Sequence, residues 1–258
     1  MLWLKHAQML SQPMIDRLKT ADPDRYRASL FAPKDLRDNL HLLYAFHLEL
    51  AKVPELVSEP MVGAIRYQWW REAIEEIYSG GPVRSHEITT SLNRLLLDNN
   101  IPRYWVDQLI DGRERDLDPK PFADISAAQD YCDQTSGVLL KMAVKLCEEN
   151  NSESEIYETL GRAWGMTGLA RAWRFYKSGM LSNIAYEALL DDVKLTYRLT
   201  KSTKISTPTI PACAYVGLVP GYLKRMNKLD VMDVNSRLHY SAVVKHSRML
   251  RVVLSGKI

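Results

Sequence analysis

Cysteine is scarce in this chain. Three occur in 258 residues, Cys132, Cys147 and Cys213. An odd number without framework spacing argues against a secreted disulfide scaffold and for a reducing compartment. No CxxC pair or Cys/His cluster offers a zinc site. An excess of one charge is lacking too: 34 Lys and Arg stand against 31 Asp and Glu. That balance gives no support for nucleic-acid binding, which needs a concentrated basic face. No apolar run approaches the roughly 20 residues that span a bilayer. A Gly-rich phosphate loop is absent, and no Ser/His/Asp arrangement can be supported from spacing. Strand-like alternation never persists, and there is no short repeat or low-complexity segment.

What is present is helical periodicity. Between Lys34 and Val57, Leu36, Leu40, Leu43, Tyr44, Phe46, Leu50 and Val53 recur at helical spacing. Pro33 can start this helix, and Pro54 should kink or end it. A second helix is expected over Glu59 to Tyr78, with Ser58 as N-cap and Pro60 at its first position, stopped by Ser79-Gly80-Gly81-Pro82. Further helices are expected over Glu87 to Asp98, Arg103 to Leu117, Ser126 (as cap) to Glu149, Glu153 to Tyr176 and Tyr186 to Leu199. Thr200 to Pro208 reads as a polar linker, followed by short and final helices over Ala212 to Val219 and Val231 to Val253. Gly161, Gly165 and Gly168 lie three or four apart on one helix, where small residues admit a neighbouring helix. The fold class is all-α, with a single helical domain over 21–258. Residues 1–20 are apolar with few charges and lack acids until Asp16. They suit a mitochondrial presequence and an ordinary first helix equally.

Three ordered stretches carry more information: Ala28-Ser29-Leu30-Phe31-Ala32-Pro33, Tyr44-Ala45-Phe46 and Gln68-Trp69-Trp70-Arg71. Asp111-Gly112-Arg113-Glu114-Arg115-Asp116-Leu117-Asp118 then precedes Tyr131-Cys132 and Thr135-Ser136-Gly137. This set resembles the squalene/phytoene synthase family from about Asp24 to Arg174, and loosely beyond. The resemblance implies an isoprenoid-synthase-like helical bundle with an apolar tunnel. It also implies prenyl transfer, in which magnesium held by aspartates four apart on two facing helices neutralises a departing pyrophosphate.

At the positions that the resemblance assigns to those aspartates, the chain carries Ala51, Glu55, Phe175 and Gly179. One carboxylate remains of four. The expectation is therefore a pseudoenzyme with no catalytic residues, no metal and no cofactor. The segment Phe46 to Pro60 and the run Arg113 to Asp118 resemble an aspartate-less branch of the family. That branch is implicated in early assembly of the respiratory NADH dehydrogenase, complex I, at the matrix face of the mitochondrial inner membrane. The implied partners are respiratory-complex subunits or assembly factors, with peripheral contact to the inner membrane and a lipid as one candidate occupant of the tunnel. Nucleic acid is not among them. Two alternatives stay open: a prenyl-diphosphate transferase with a non-standard metal site, recruiting carboxylates near Glu55, and a lipid-binding structural subunit of a larger mitochondrial complex.

The resemblance places a vestigial cleft at Tyr44, His47, Glu55, Arg66, Gln68, Arg71, Arg171 and Arg174. Each has a plainer reading. Trp69 and Trp70 can pack the core while Arg71 pairs with a surface acid. His41 and His47 can be satisfied core residues, and Glu49 and Glu55 can sit on a helix surface. Asp111, Asp116 and Asp118 read as a solvated helix end. Asp191-Asp192 reads as a surface or capping pair.

Overall fold

The computed structural model describes residues 10–118, 120–148, 154–228 and 240–258. Within them the chain is helical, and the only bridge of β type is an isolated one between Lys204 and Lys257. The N-terminal half comprises α1 (Gln12–Ala21), α2 (Pro23–Ser29), α3 (Lys34–Ala51), α4 (Pro60–Ser79), α5 (Thr89–Asp98) and α6 (Arg103–Glu114). Then come α7 (Ile125–Cys132), α8 (Val138–Cys147), α9 (Glu155–Arg171), α10 (Trp173–Tyr176), α11 (Tyr186–Thr200), α12 (Ile210–Cys213), α13 (Val219–Met226) and α14 (Ala242–Ser255).

The core is built around α3 and α9. Leu40 to Phe46 of α3 are buried without a break, because α1, α5 and α8 all pack on that helix. Helix α9 lies between α8 and α11. Met14 and Leu18 of α1 are buried in the same core, and residues 1–9 lie outside the described residues. Pro54 acts as expected. Helix α3 ends at Ala51, and Val53–Leu56 form a short 3-10 turn whose first turn contains the proline. Pro60 begins α4, and Gly80 closes it in the left-handed region at φ 74°, a conformation a Cβ would strain.

Several expected boundaries move. Glu59, not Ser58, is the N-cap of α4, and its side chain makes no capping bond, since Pro60 already removes one orphan donor. Asp124, not Ser126, caps α7 by accepting from the Ala127 N–H at 3.0 Å. The helix expected to run on from there is interrupted by a π-helical turn, Asp133–Gly137, between α7 and α8. Its last expected residue, Glu149, and the break at Asn150-Asn151-Ser152 lie outside the described residues. The helix expected to reach Tyr176 breaks at Ala172, with α10 following as a separate turn. Part of the expected final helix, 231–239, also lies outside the described residues; α14 covers the rest. Thr207 to Met226 pass through 3-10 and α turns and are mostly buried from Thr209 to Leu223.

The π turn and the glycines of α9 explain each other. A Cβ on Gly161 would stand 2.6 Å from the Gly137 Cα and the Ser136 carbonyl, and one on Gly165 would stand 2.9 Å from Cys132. These two positions let α9 press against the widened turn. Gly168 differs: a Cβ there meets nothing within 4 Å. Helix α14 closes the C-terminal part onto the start of the bundle, where Lys245 pairs with the buried Asp24 at 2.7 Å and Tyr222 donates to the same carboxylate at 3.1 Å.

Gly161→Ala should therefore cost about 1–3 kcal/mol, because the added methyl meets backbone that cannot rotate away. Gly168→Ala should be neutral or stabilising by up to about 1 kcal/mol, through helix propensity alone. Urea unfolding of the two variants checks this, and equal stabilities would contradict the packing described.

Candidate functional site

The C-terminal turn of α6 points inward. Gly112 permits this, since a Cβ there would lie 2.9 Å from Gln134 Cβ and 3.1 Å from its carbonyl. The next residue, Arg113, is thereby carried into the bundle. Its Nη1 donates to the Tyr131 hydroxyl at 2.9 Å and to Asp116 at 3.2 Å, and Tyr131 donates to Asp116 at 2.7 Å. Its Nη2 meets His47 Nε2 of α3 at 2.8 Å. The Tyr67 hydroxyl of α4 lies 2.9 Å from the carbonyls of both Leu50 and Arg113, so one proton is shared between the ends of α3 and α6.

A guanidinium has no acceptor atom, so His47 Nε2 must accept and the ring proton must sit on Nδ1. Burial, followed by the charges of Arg113 and Arg25, holds His47 well below the ordinary histidine range. The ring is thus neutral. Its Nδ1 has no hydrogen-bond partner among the described residues, nor do Arg113 Nε, Arg25 Nε and the Tyr44 hydroxyl, all buried. The Arg25 guanidinium of α2 is fixed by Asp22 at 2.7 Å and lies 5.1 Å from the centre of the Tyr215 ring.

Arg25 and Arg113 line one cavity of about 190 Å³ in the middle of the bundle. Ser136 of the π turn, Trp164 and Gly168 of α9, and Tyr176 of α10 complete its wall. Tyr176 is partly exposed, so the cavity communicates with solvent along that side. The Tyr176 hydroxyl is raised by burial and then by the charge of Asp116.

The residues expected at a cleft do not come together in one place. Tyr44 and His47 face the interior, Tyr44 with its ring 6.0 Å from the Arg25 guanidinium and His47 beside Arg113. Arg66 lines a separate groove of about 320 Å³ with Glu49, Val53, Trp69, Trp70 and His86. Gln68 and Arg71 turn to the surface of α4: Gln68 donates to Glu72 at 3.2 Å, and Arg71 holds both Asp111 and Glu114 at 2.6 Å. Arg171 stacks on Tyr222 at 4.1 Å, and Arg174 is exposed. Trp70 is buried, and Trp69 packs against it edge-on. Glu49 faces Arg17 at 3.6 Å, and His41 bonds Ser29 at 2.8 Å.

Two acids depart from the surface role expected of them. Asp116 lies inside the Arg113 network because Gly112 lets the end of α6 sink. Asp192 is buried and receives a bond from Gln129, and burial raises its carboxyl above the usual range. The residues that sequence reasoning passed over are Arg25 and Arg113. The charge-rich run around Arg113 looks solvated, and only Gly112 beside it signals a close approach.

The four positions matching the family's metal ligands do not make a ligand set. Ala51 and Gly179 carry no donor, Phe175 is 75% exposed, and Glu55 stands alone on the 3-10 turn. Magnesium demands near-octahedral oxygen ligation, and one carboxylate does not fit it. Among the described residues no three His, Cys, Asp or Glu converge elsewhere, around Glu55 included. Among the described residues, no helix is long and apolar enough to cross a membrane.

Comparison with known proteins bears on the family and the fold. Residues 18–174 match the squalene/phytoene synthase family model. The chain is 27% identical over 165 residues to the complex I assembly factor 6 of NADH dehydrogenase (ubiquinone) from Homo sapiens and from Mus musculus, covering 64% of this chain and 49% of theirs. A homolog of that factor from Dictyostelium discoideum is 24% identical over 250 residues, covering 84% of this chain and 70% of its own. The chain thus spans about half the length of the mammalian relatives it matches. Among solved structures, a dehydrosqualene synthase superposes with a TM-score of 0.73 at 14% identity, covering 93% of this chain and 94% of that one. A squalene synthase from Alicyclobacillus acidocaldarius gives 0.56 at 15%, covering 95% and 93%. These two establish the all-α isoprenoid-synthase fold.

The buried histidines set an acid limit. His41 is lowered to about 4 by burial, and His47 also stays neutral when folded. The unfolded chain takes up these protons below about pH 6.5 while the folded chain does not, so stability falls with falling pH. Each histidine should contribute up to about 1.4 kcal/mol per pH unit between pH 6.5 and 5. Denaturant unfolding across that window should show a slope smaller by up to about 1.4 kcal/mol per pH unit in His41→Gln. An unchanged slope would contradict the assignment.

Proposed function

This chain belongs to the squalene/phytoene synthase family, and on that premise we propose that it is a pseudoenzyme acting as an assembly factor or scaffold for respiratory complex I. The observation that carries the proposal is the state of the four ligand positions. A single carboxylate at Glu55 cannot hold the cations that neutralise a departing pyrophosphate. The similarity to assembly factors of the NADH dehydrogenase supplies the positive half. The site of action is the matrix side of the mitochondrial inner membrane, and the partners are complex I subunits or other assembly factors, met through protein–protein contact. Membrane contact in this reading is peripheral.

Glu55 offers a direct test. Deleting the gene should lower the level and activity of complex I, and the wild-type chain should restore both. Glu55→Ala should restore them equally well, because the last family carboxylate has no metal to hold. Normal complex I in the deletion strain would overturn the assembly role. Failure of a folded Glu55→Ala protein to rescue would instead point to retained metal chemistry.

A further inference from the structure

The unpartnered polar atoms around the central cavity share one property: each can donate a hydrogen bond. They are Arg25 Nε and Arg113 Nε, which belong to cavity-lining residues, and His47 Nδ1 and the Tyr44 and Tyr215 hydroxyls behind them. Three of the five are N–H groups with no acceptor capacity in this protonation state. Both guanidiniums are already anchored on one side, Arg25 by Asp22 at 2.7 Å and Arg113 by Asp116 at 3.2 Å. Each nevertheless keeps a buried donor unused, and Arg25 is only 5% exposed. Buried donors left without acceptors cost free energy, and two cations lining one small space repel each other.

We propose that this cavity is a binding site for a small oxyanion, a carboxylate or phosphate group, held by Arg25 and Arg113 without a metal. An oxyanion is acceptor-only and negatively charged, so it satisfies both needs at once, and charge-assisted bonds from guanidinium groups are among the stronger ones. The volume of about 190 Å³ limits the occupant. A cavity of about 150 Å³ takes benzene, so the part of the ligand inside has on the order of ten non-hydrogen atoms at most, and any remainder extends to solvent past Tyr176. A prenyl chain does not match the donors, since it would lay hydrocarbon against two guanidiniums. The site uses none of Ala51, Glu55, Phe175 and Gly179, and it stands independently of the assembly role. Gly168 keeps the space open: it lines the cavity, and a Cβ there would touch nothing within 4 Å.

Thermal unfolding and titration calorimetry of the full chain test this, with potassium phosphate, sodium acetate and sodium succinate each compared with chloride at equal ionic strength. A saturable rise in Tm is expected with phosphate or with the carboxylates, and whichever acts identifies the group. Gly168→Leu should weaken that ion at least tenfold while its Tm in chloride stays at or above the wild-type value. Arg113→Lys keeps a charge for Asp116 but removes the Nε donor, and it should weaken binding similarly. The proposal is overturned if no ion exceeds chloride, or if both variants bind as the wild type does. It is equally overturned if geraniol, a neutral prenyl alcohol, binds in a way that Gly168→Leu abolishes while the ions do not.

Discussion

The interior of this bundle depends on one buried cation. Arg113 ties α6 to α3 through His47, to α7 through Tyr131, and to its own helix end through Asp116. A guanidinium is tolerable inside a fold only when its charge and its donors are met. The surroundings can be understood as the means of meeting them: Gly112 to admit it, Tyr131 and Asp116 to share its charge, and a histidine kept neutral so that it can accept. Tyr67 fixes the Arg113 backbone from α4, so four helices converge on one residue.

That arrangement also changes what the fold can hold. The helical framework superposes on that of a dehydrosqualene synthase over 93% of this chain, and its centre presents the guanidinium groups of Arg25 and Arg113. Of the four positions that the family resemblance assigns to metal ligands, only Glu55 carries a carboxylate. The two changes point the same way. On the proposed reading, the fold serves as a scaffold and its interior serves a use other than ionising a prenyl diphosphate.

Much of the fold was legible in the sequence. The periodicity of α3, the prolines at 54 and 60 and the glycine at 80 act locally, through sterics that operate within a few residues, and they place the helix ends well. The ordered motifs from Ala28 to Arg71 identify the family for the same reason. The interior site was much less legible. A run such as Arg113 to Asp118 looks like a solvated helix end, and its burial depends on how Gly112 packs against Gln134, more than twenty positions away. Asp192 was misread likewise, since its partner Gln129 comes from another helix. The glycines of α9 show the limit clearly. Gly161 and Gly165 serve helix contact as their spacing suggests, whereas Gly168, one turn on, borders a cavity, and spacing alone cannot separate the two uses.

On the proposed reading, the prenyltransferase fold persists here without prenyl transfer. The most direct measurement is pyrophosphate release from farnesyl or geranylgeranyl diphosphate by the purified full chain, in the presence of magnesium. Release no faster than in buffer alone is predicted. Magnesium-dependent release that saturates with substrate would contradict the account.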